Sequence, residues 1–345
     1  MGNLTRYSGL SAKLRAMKAK LLTEEDYDRI CELASVADVA AYLKKKPAYE
    51  QSFAQLSEFE VHRGEVERLL TLSIYDGFRR IYRFADAGQR KFMELYFKRY
   101  EVSLIKRAFR LAADRKSILP ILYGAEDFFR KYSQLNLQAL DDANSLPEAV
   151  AALEGSEYYA PLARLAEEEI TLFDLEMALD MYYFGQIWKR RGTIAKGEDL
   201  EVLTEAFGAK FDMINLNWIQ RSKRFKGLNA GDILAMLIPV ENRLHRRELT
   251  RLAEADSREH FAQALAQTWY AKRYRELTPS SLEEMYVEVL RTTLERESRS
   301  HPYSMAVIYS YLYQKEHEVD RLTTALEGIR YGLEPSAIRQ LINRQ

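Results

Sequence analysis

The sequence predicts an all-α fold, and three observations carry that prediction. Glycine and proline are scarce, 15 and 8 in 345 residues, and the prolines fall between periodic segments. Leu, Ala, Glu, Lys and Arg dominate the remainder, and all five are strong helix formers. No series of alternating, glycine-bounded strand patterns interrupts them. The chain is long enough, at 47% hydrophobic residues, to bury one large core or several small ones. Lys plus Arg and Asp plus Glu both number 51, so the chain lacks the basic field of a dedicated nucleic-acid binder. The single Cys31 excludes an internal disulfide framework and a multi-cysteine metal site, and fits a reducing cytosol.

Taken in order, the elements begin with an amphipathic helix. Leu10, Leu14, Met17 and Leu21 recur at helical spacing, while Lys13, Arg15, Lys18 and Lys20 fall on other faces. Thr23 and Asp26 then form a capping-box pattern that opens a second helix through Asp28 to Ala34. Beyond it the chain repeats itself. Ser35-x-x-Asp38, Ser145-x-x-Glu148 and Asp256-x-x-Glu259 are three helix starts of one design, spaced 110 and 111 residues apart. In each, a short side chain accepts a bond from a free N–H and an acid stands in the first turn. An alanine-rich helix follows each start, in which Leu43, Leu153 and Leu265 correspond, as do Tyr49, Tyr159 and Tyr270.

Each unit continues with a helix rich in Tyr and Leu and ends with a longer one: FKRYEVSLIKRAFRLA, KFDMINLNWIQRSKRF and KEHEVDRLTTALEGIR. Glu101, Asp212 and Glu318 take equivalent places there, followed four residues later by Ile105, Leu216 and Leu322. Self-similarity at one spacing across the whole length predicts a stacked or ring-like architecture. The joints near Asp114 to Pro120 and near Phe225 to Asp232 divide the chain into three lobes of about 110 residues, 1–115, 116–226 and 227–345. The segment Arg190 to Glu201 (RRGTIAKGEDLE) reads as the most loop-like stretch within a unit.

A search for chemistry finds no catalytic, cofactor-binding or metal-binding motif. Gly192 to Gly197 has the glycine spacing of a phosphate loop, but Glu198 and Asp199 stand where Lys and Ser/Thr must hold phosphate and metal, so it reads as a surface loop. His62, His245, His260, His301 and His317 form no HxxxH or HExxH pair. Asp141-Asp142 and Glu167-Glu168-Glu169 read as turn or first-turn acids rather than acid–base pairs. No Gly-x-Ser-x-Gly nucleophile elbow occurs. The longest uncharged run, Pro302 to Gln314, is too short for the roughly 18 residues of a spanning helix, and the N-terminus has no apolar export region. Arg6 also breaks the myristoylation pattern, so membrane association is expected only through a partner.

Both ends of the chain resemble one family. Tyr7 with KLRAMKAKLLTEEDY (Lys13 to Tyr27), and HPYSMAVIYSYLYQKEHEVDRLTTALEGIRYGL (His301 to Leu333), are similar to the connector of V/A-type rotary ATPases. This family supplies the C subunit of the archaeal and bacterial enzymes and is related to the eukaryotic d subunit. Pro302, Ser304, Tyr311, Lys315, Glu316 and Leu322 fit its closing motif, whereas His301 and Arg321 stand where the family usually has Asn. The resemblance implies a funnel of three similar lobes about a pseudo-three-fold axis, without an active site of its own. It implies that the funnel joins the central-shaft subunits to the membrane proteolipid ring, peripheral to the membrane on the cytoplasmic side, for ATP-driven ion transport or ATP synthesis. Arg110 and Arg221 match the family's arginine at one place in the repeat, which the third unit fills with Glu327. With Lys223 and Arg224 they form the expected partner interface, whose bland reading is a solvated helix end complementing the dipole. The many tyrosines read chiefly as lobe-packing residues. Two other readings stand beside this one: a helical-repeat scaffold unrelated to rotary motors, expected to form an open superhelix, and an all-α enzyme, expected to show a deep pocket of converging polar groups.

Overall fold

In the computed structural model, which describes residues 3–54, 56, 61–165, 170–223 and 228–344, every regular element is a helix. The first set is α1 (Asn3–Lys18), α2 (Glu24–Cys31), α3 (Val36–Lys44), α4 (Glu50–Phe53), α5 (Arg63–Phe84) and α6 (Ala87–Ala113). The second is α7 (Leu119–Leu122), α8 (Glu126–Tyr132), α9 (Leu137–Asp142), α10 (Leu146–Ala151), α11 (Tyr159–Ala163), α12 (Leu172–Ile194) and α13 (Glu198–Ser222). The third is α14 (Ala230–Ala235), α15 (Arg246–Glu254), α16 (Arg258–Ala266), α17 (Trp269–Arg273), α18 (Leu282–Ser300) and α19 (Met305–Arg330), followed by α20 (Pro335–Asn343). Each set ends with two long helices, α5 and α6, α12 and α13, and α18 and α19.

The caps explain where the short helices start. Thr23 and Asp26 make the expected capping box on α2. Ser35 and Ser145 accept from the N–H groups of Asp38 and Glu148 at the starts of α3 and α10. At the third start the cap lies one residue beyond the sequence expectation. Ser257, not Asp256, accepts from the His260 N–H, because the Asp256 carboxylate turns instead onto His260 Nδ1. The supposed loop from Arg190 to Glu201 is also corrected. Helix α12 runs through Gly192 to Ile194, leaving only Ala195 to Gly197 as the connection. Gly197 turns the chain at φ +54, a left-handed conformation that a side chain would strain. The first apolar face is buried at Leu10, Leu14 and Met17, whereas Leu21 lies beyond the end of α1 and is only partly covered.

The chain forms two compact units, Met1–Asp86 with Glu284–Gln345, and Ala87–Glu283. In the first, α19 packs against α1, α3, α5 and α20 over a core containing Tyr7, Tyr49, Phe53 and Phe78. In the second, α12 packs against both α6 and α13, and the core is aromatic around Phe97, Phe128, Phe129 and Phe211. Burial of such rings contributes roughly 2–3 kcal/mol each before entropy is charged against it.

Candidate functional site

The last long helix of each set, α6, α13 and α19, carries at the repeat-equivalent place an acid that amphipathic patterning would send to solvent. All three are buried: Glu101 is 5% exposed, Asp212 0% and Glu318 4%. A buried carboxylate must find donors, and each receives a tyrosine hydroxyl. Tyr49 donates to Glu318 Oε1 at 2.6 Å, Tyr158 to Glu101 Oε2 at 2.7 Å, and Tyr270 to Asp212 Oδ2 at 2.9 Å. Burial, followed by the neighbouring acid, holds all three tyrosine hydroxyls above their ordinary pKa, so each tyrosine keeps the proton it donates. The middle partner is Tyr158, one residue before the tyrosine that the repeat aligns. Tyr159 is only partly buried, because five residues separate Leu153 from its buried tyrosine and six separate Leu43 from Tyr49.

The pairing order is cyclic. The acid of the first sequence unit takes the tyrosine of the second, the second takes that of the third, and Glu318 takes Tyr49 from 269 residues earlier. Further donors come from the connections that precede α9, α15 and α2. They are Ser133 Oγ for Glu101, the Arg243 and Leu244 N–H groups for Asp212, and the Leu22 N–H for Glu318. Charge compensation differs among the three. Glu318 has a buried counter-ion, Lys315 Nζ at 3.0 Å, which also lies 3.8 Å from the Tyr49 ring centroid. Burial pushes the Lys315 amine down and Glu318 opposes that shift. Among the described residues, Asp212 bonds no cationic side chain, and its Oδ1 has no hydrogen-bond partner. Burial pushes its carboxyl up to about 7, against the three bonds that favour the charged form. The Glu101 carboxyl is raised for the same first reason.

Near the ends of the same helices lie the cations singled out by sequence. Arg110 holds Glu176 through two bonds of 2.7 and 2.9 Å, and Arg221 holds Glu283 at 3.0 Å. The third place, Glu327, is bonded by Arg63 Nη1 at 3.4 Å, so the same clasp recurs with its charges exchanged. Residue types alone hide this, since an acid at Glu327 looks like a lost arginine. Lys223 Nζ donates to the carbonyls of Ala253 and Ala255 and so closes the end of α15. Burial lowers its pKa. Arg224 lies outside the described residues. Arg110 and Arg221 remain more than half exposed while paired, at 57% and 58%.

The other candidates resolve into structural roles. Asp141 Oδ1 accepts from Ser117 Oγ and the N–H groups of Ile118 and Leu119, fastening the turn that opens α7. Glu167 to Glu169 lie outside the described residues. His317 is stacked on Tyr313, and burial, then Arg321, lowers its pKa to about 4. A recess of about 410 Å³ lies beside Glu101 and Tyr158. Its lining carries three cations, Lys91, Lys98 and Arg190, against three carboxylates, Glu94, Glu101 and Glu157, and Lys98 and Arg190 both bond Glu157. Among the described residues, no three His, Cys, Asp or Glu side chains are grouped to hold a metal, and no helix is long and apolar enough to cross a membrane.

With the buried pairs and clasps in place, comparison with known proteins decides the family. The family model described as ATP synthase (C/AC39) subunit matches residues 10–341. The chain belongs to that family. It is 28% identical over 350 residues to a protein of Thermococcus kodakarensis named as the C subunit of A-type ATP synthase, covering 98% of this chain and 90% of the relative. The Pyrococcus furiosus protein of the same name is 26% identical over 349 residues, with the same coverage of both chains. That of Methanocaldococcus jannaschii is 23% identical over 360 residues, covering 99% of this chain and 87% of the relative. The residues that carry the resemblance have clear local work. Ser304 caps α19, Tyr311 packs on Gly77, Lys315 pairs with Glu318, and Leu322 is fully buried. At Arg321, where the resemblance expects Asn, the guanidinium makes two 3.0 Å bonds to Glu24 and lies 3.6 Å from the Tyr27 ring centroid.

Proposed function

We propose that this protein is the rotor connector of a V/A-type ATPase, a non-catalytic coupling between the central-shaft subunits and the membrane proteolipid ring. The cyclic order of the three acid–tyrosine pairs is the observation that carries the reading, taken together with membership of the family. An open helical array leaves its first and last repeats without partners. Here the last repeat's acid is satisfied by the first repeat's tyrosine, which supports a ring of three lobes, 1–115, 116–226 and 227–345, each lending its final helix to the next. Such a ring encloses a space for a shaft and carries torque through buried, hydrogen-bonded joints rather than through flexible linkers. Arg110 and Arg221 are the exposed cations proposed to face acids of a partner, with Lys223 and Arg224, which follow Arg221 in sequence. Association with the membrane, on its cytoplasmic side, is through the assembled complex. The relatives' name, which places them in A-type ATP synthase, supports a role in ATP-linked ion transport.

A coupling must transmit load and still be assembled, which favours polar, salt-sensitive contacts. The test is binding of the full chain to reconstituted central-shaft subunits across a salt series. The expected result is binding at micromolar concentration or tighter at low salt, weakening as salt rises. No binding at low salt overturns the connector reading; affinity indifferent to salt overturns the polar interface.

A further inference from the structure

Outside the buried pairs and the clasps, one surface recess carries more cations than carboxylates among the described residues. It lies between α1, α4 and α5, has a volume of about 410 Å³, and is lined by Lys13, Gln51, Asp76, Arg79, Arg80, Arg83 and Phe84. Four cations face one carboxylate there, in a chain whose total charges cancel. Asp76 is already bonded by Arg79 at 3.2 Å. Arg80 donates to the neutral amide oxygen of Gln51 at 2.6 Å, a bond that orients the guanidinium without neutralising it. Lys13 Nζ stands 5.2 Å from the ring centroid of Phe84. Phe84 is 60% exposed, at the end of α5, where burial would be expected of a phenyl ring.

We propose that this recess receives an acidic segment of a central-shaft subunit, with carboxylates on Arg80, Arg83 and Lys13 and an apolar side chain on Phe84. The proposal rests on the connector reading, and adds to it a docking point at named residues. Arginine beside an exposed aromatic ring is the composition enriched at protein interfaces. Guanidinium groups hold carboxylates in fixed, two-bonded geometry, which suits a contact that must not slip. A water-exposed helical shaft carries charged side chains on its outer faces. The recess admits only a few side chains, so it acts as an anchor within a wider interface.

The test measures binding of full-length chains to reconstituted central-shaft subunits at low and high salt. The variants are Arg80→Glu with Arg83→Glu, the milder Arg83→Gln with Lys13→Gln, Phe84→Ala, and Arg15→Glu as a control on exposed α1 surface. Helical circular dichroism and melting temperature accompany each variant. We expect the double reversal to weaken binding at least tenfold and flatten its salt dependence. The milder pair and Phe84→Ala should each weaken it several-fold, and the control less than twofold. Folded variants that bind like the wild type overturn the recess proposal and leave the connector reading standing. A wild type that binds no shaft subunit overturns both. In a parallel arm with phosphatidylcholine vesicles, with and without phosphatidylglycerol, binding that depends on Arg80 and Arg83 while shaft binding does not assigns the recess to a lipid surface and overturns the proposal.

Discussion

Replacing Asp212 by Asn should make the protein more stable at neutral and alkaline pH, although it deletes a charge that accepts three hydrogen bonds. Among the described residues Asp212 bonds no cationic side chain; it is 0% exposed and has one oxygen without a partner. Burial raises its carboxyl from the ordinary 3.8 to about 7. Between about pH 4 and about pH 7 the folded chain holds a proton that the unfolded chain has released. Stability from this group is therefore full at low pH and is lost as pH rises, by about 1.4 kcal/mol per pH unit. The full shift corresponds to about 4 kcal/mol, of which about 3 falls between about pH 5 and about pH 8. Asn keeps the neutral shape at every pH. Its carbonyl, in the Oδ2 place, can take the Arg243 and Leu244 N–H groups and the Tyr270 hydroxyl, while its amide occupies the Oδ1 place, which has no partner in the wild type either. Urea unfolding of wild type and Asp212→Asn, followed by tryptophan fluorescence at about pH 5, 6, 7 and 8, isolates the effect because other titrating groups cancel. The difference should move by about 3 kcal/mol in favour of the Asn variant as pH rises. Parallel curves, or a wild type that gains on the variant at high pH, would refute the reasoning.

The other joints give separate expectations. Glu318→Gln strands Lys315 in the core, and should cost about 3–5 kcal/mol; adding Lys315→Met should recover most of the loss in a thermal melt. Arg63→Glu sets an acid beside both Glu327 and Glu67, which Arg63 also bonds at 2.6 Å, and should cost no more than about 2 kcal/mol, since both partners are substantially exposed. Combining it with Glu327→Arg should recover the clasp's share of the loss but not that of the Arg63–Glu67 pair, and a double-mutant cycle with no coupling between positions 63 and 327 would show that the clasp contributes nothing. The Arg321 bonds, and then Arg339, hold Glu24 down to about 2. That contribution is present above about pH 4.5 and lost as pH falls through about 2; Glu24 is 66% exposed, so it is worth no more than about 1 kcal/mol. Acid titration of Arg321→Asn should show a correspondingly smaller loss of stability than the wild type.

The all-α fold was legible because helix-forming composition and sparse glycine leave little else possible. The repeat was legible because Ser35, Ser145 and the buried leucines recur at one spacing. Single-residue slips entered where spacing drifts, at Tyr158 and Ser257, since an aligned tyrosine or a neighbouring acid satisfies the pattern equally well. The site was harder. An acid on an amphipathic helix ordinarily faces water, so the correspondence of Glu101, Asp212 and Glu318 was visible while their burial was not. The Tyr49–Glu318 bond joins residues 269 apart, beyond the reach of local periodicity. The Arg63–Glu327 clasp keeps an interaction but exchanges its charges, which comparison of residue types reads as a break.

The connector role is tested most directly by coupling. Rotary ATPase reconstituted into liposomes, with and without this chain, can be assayed for ATP hydrolysis and for ATP-driven ion uptake in parallel. With the chain present, hydrolysis should drive uptake; without it, hydrolysis should continue while uptake falls to background. Undiminished ATP-driven uptake in complexes shown to lack the chain would contradict the account.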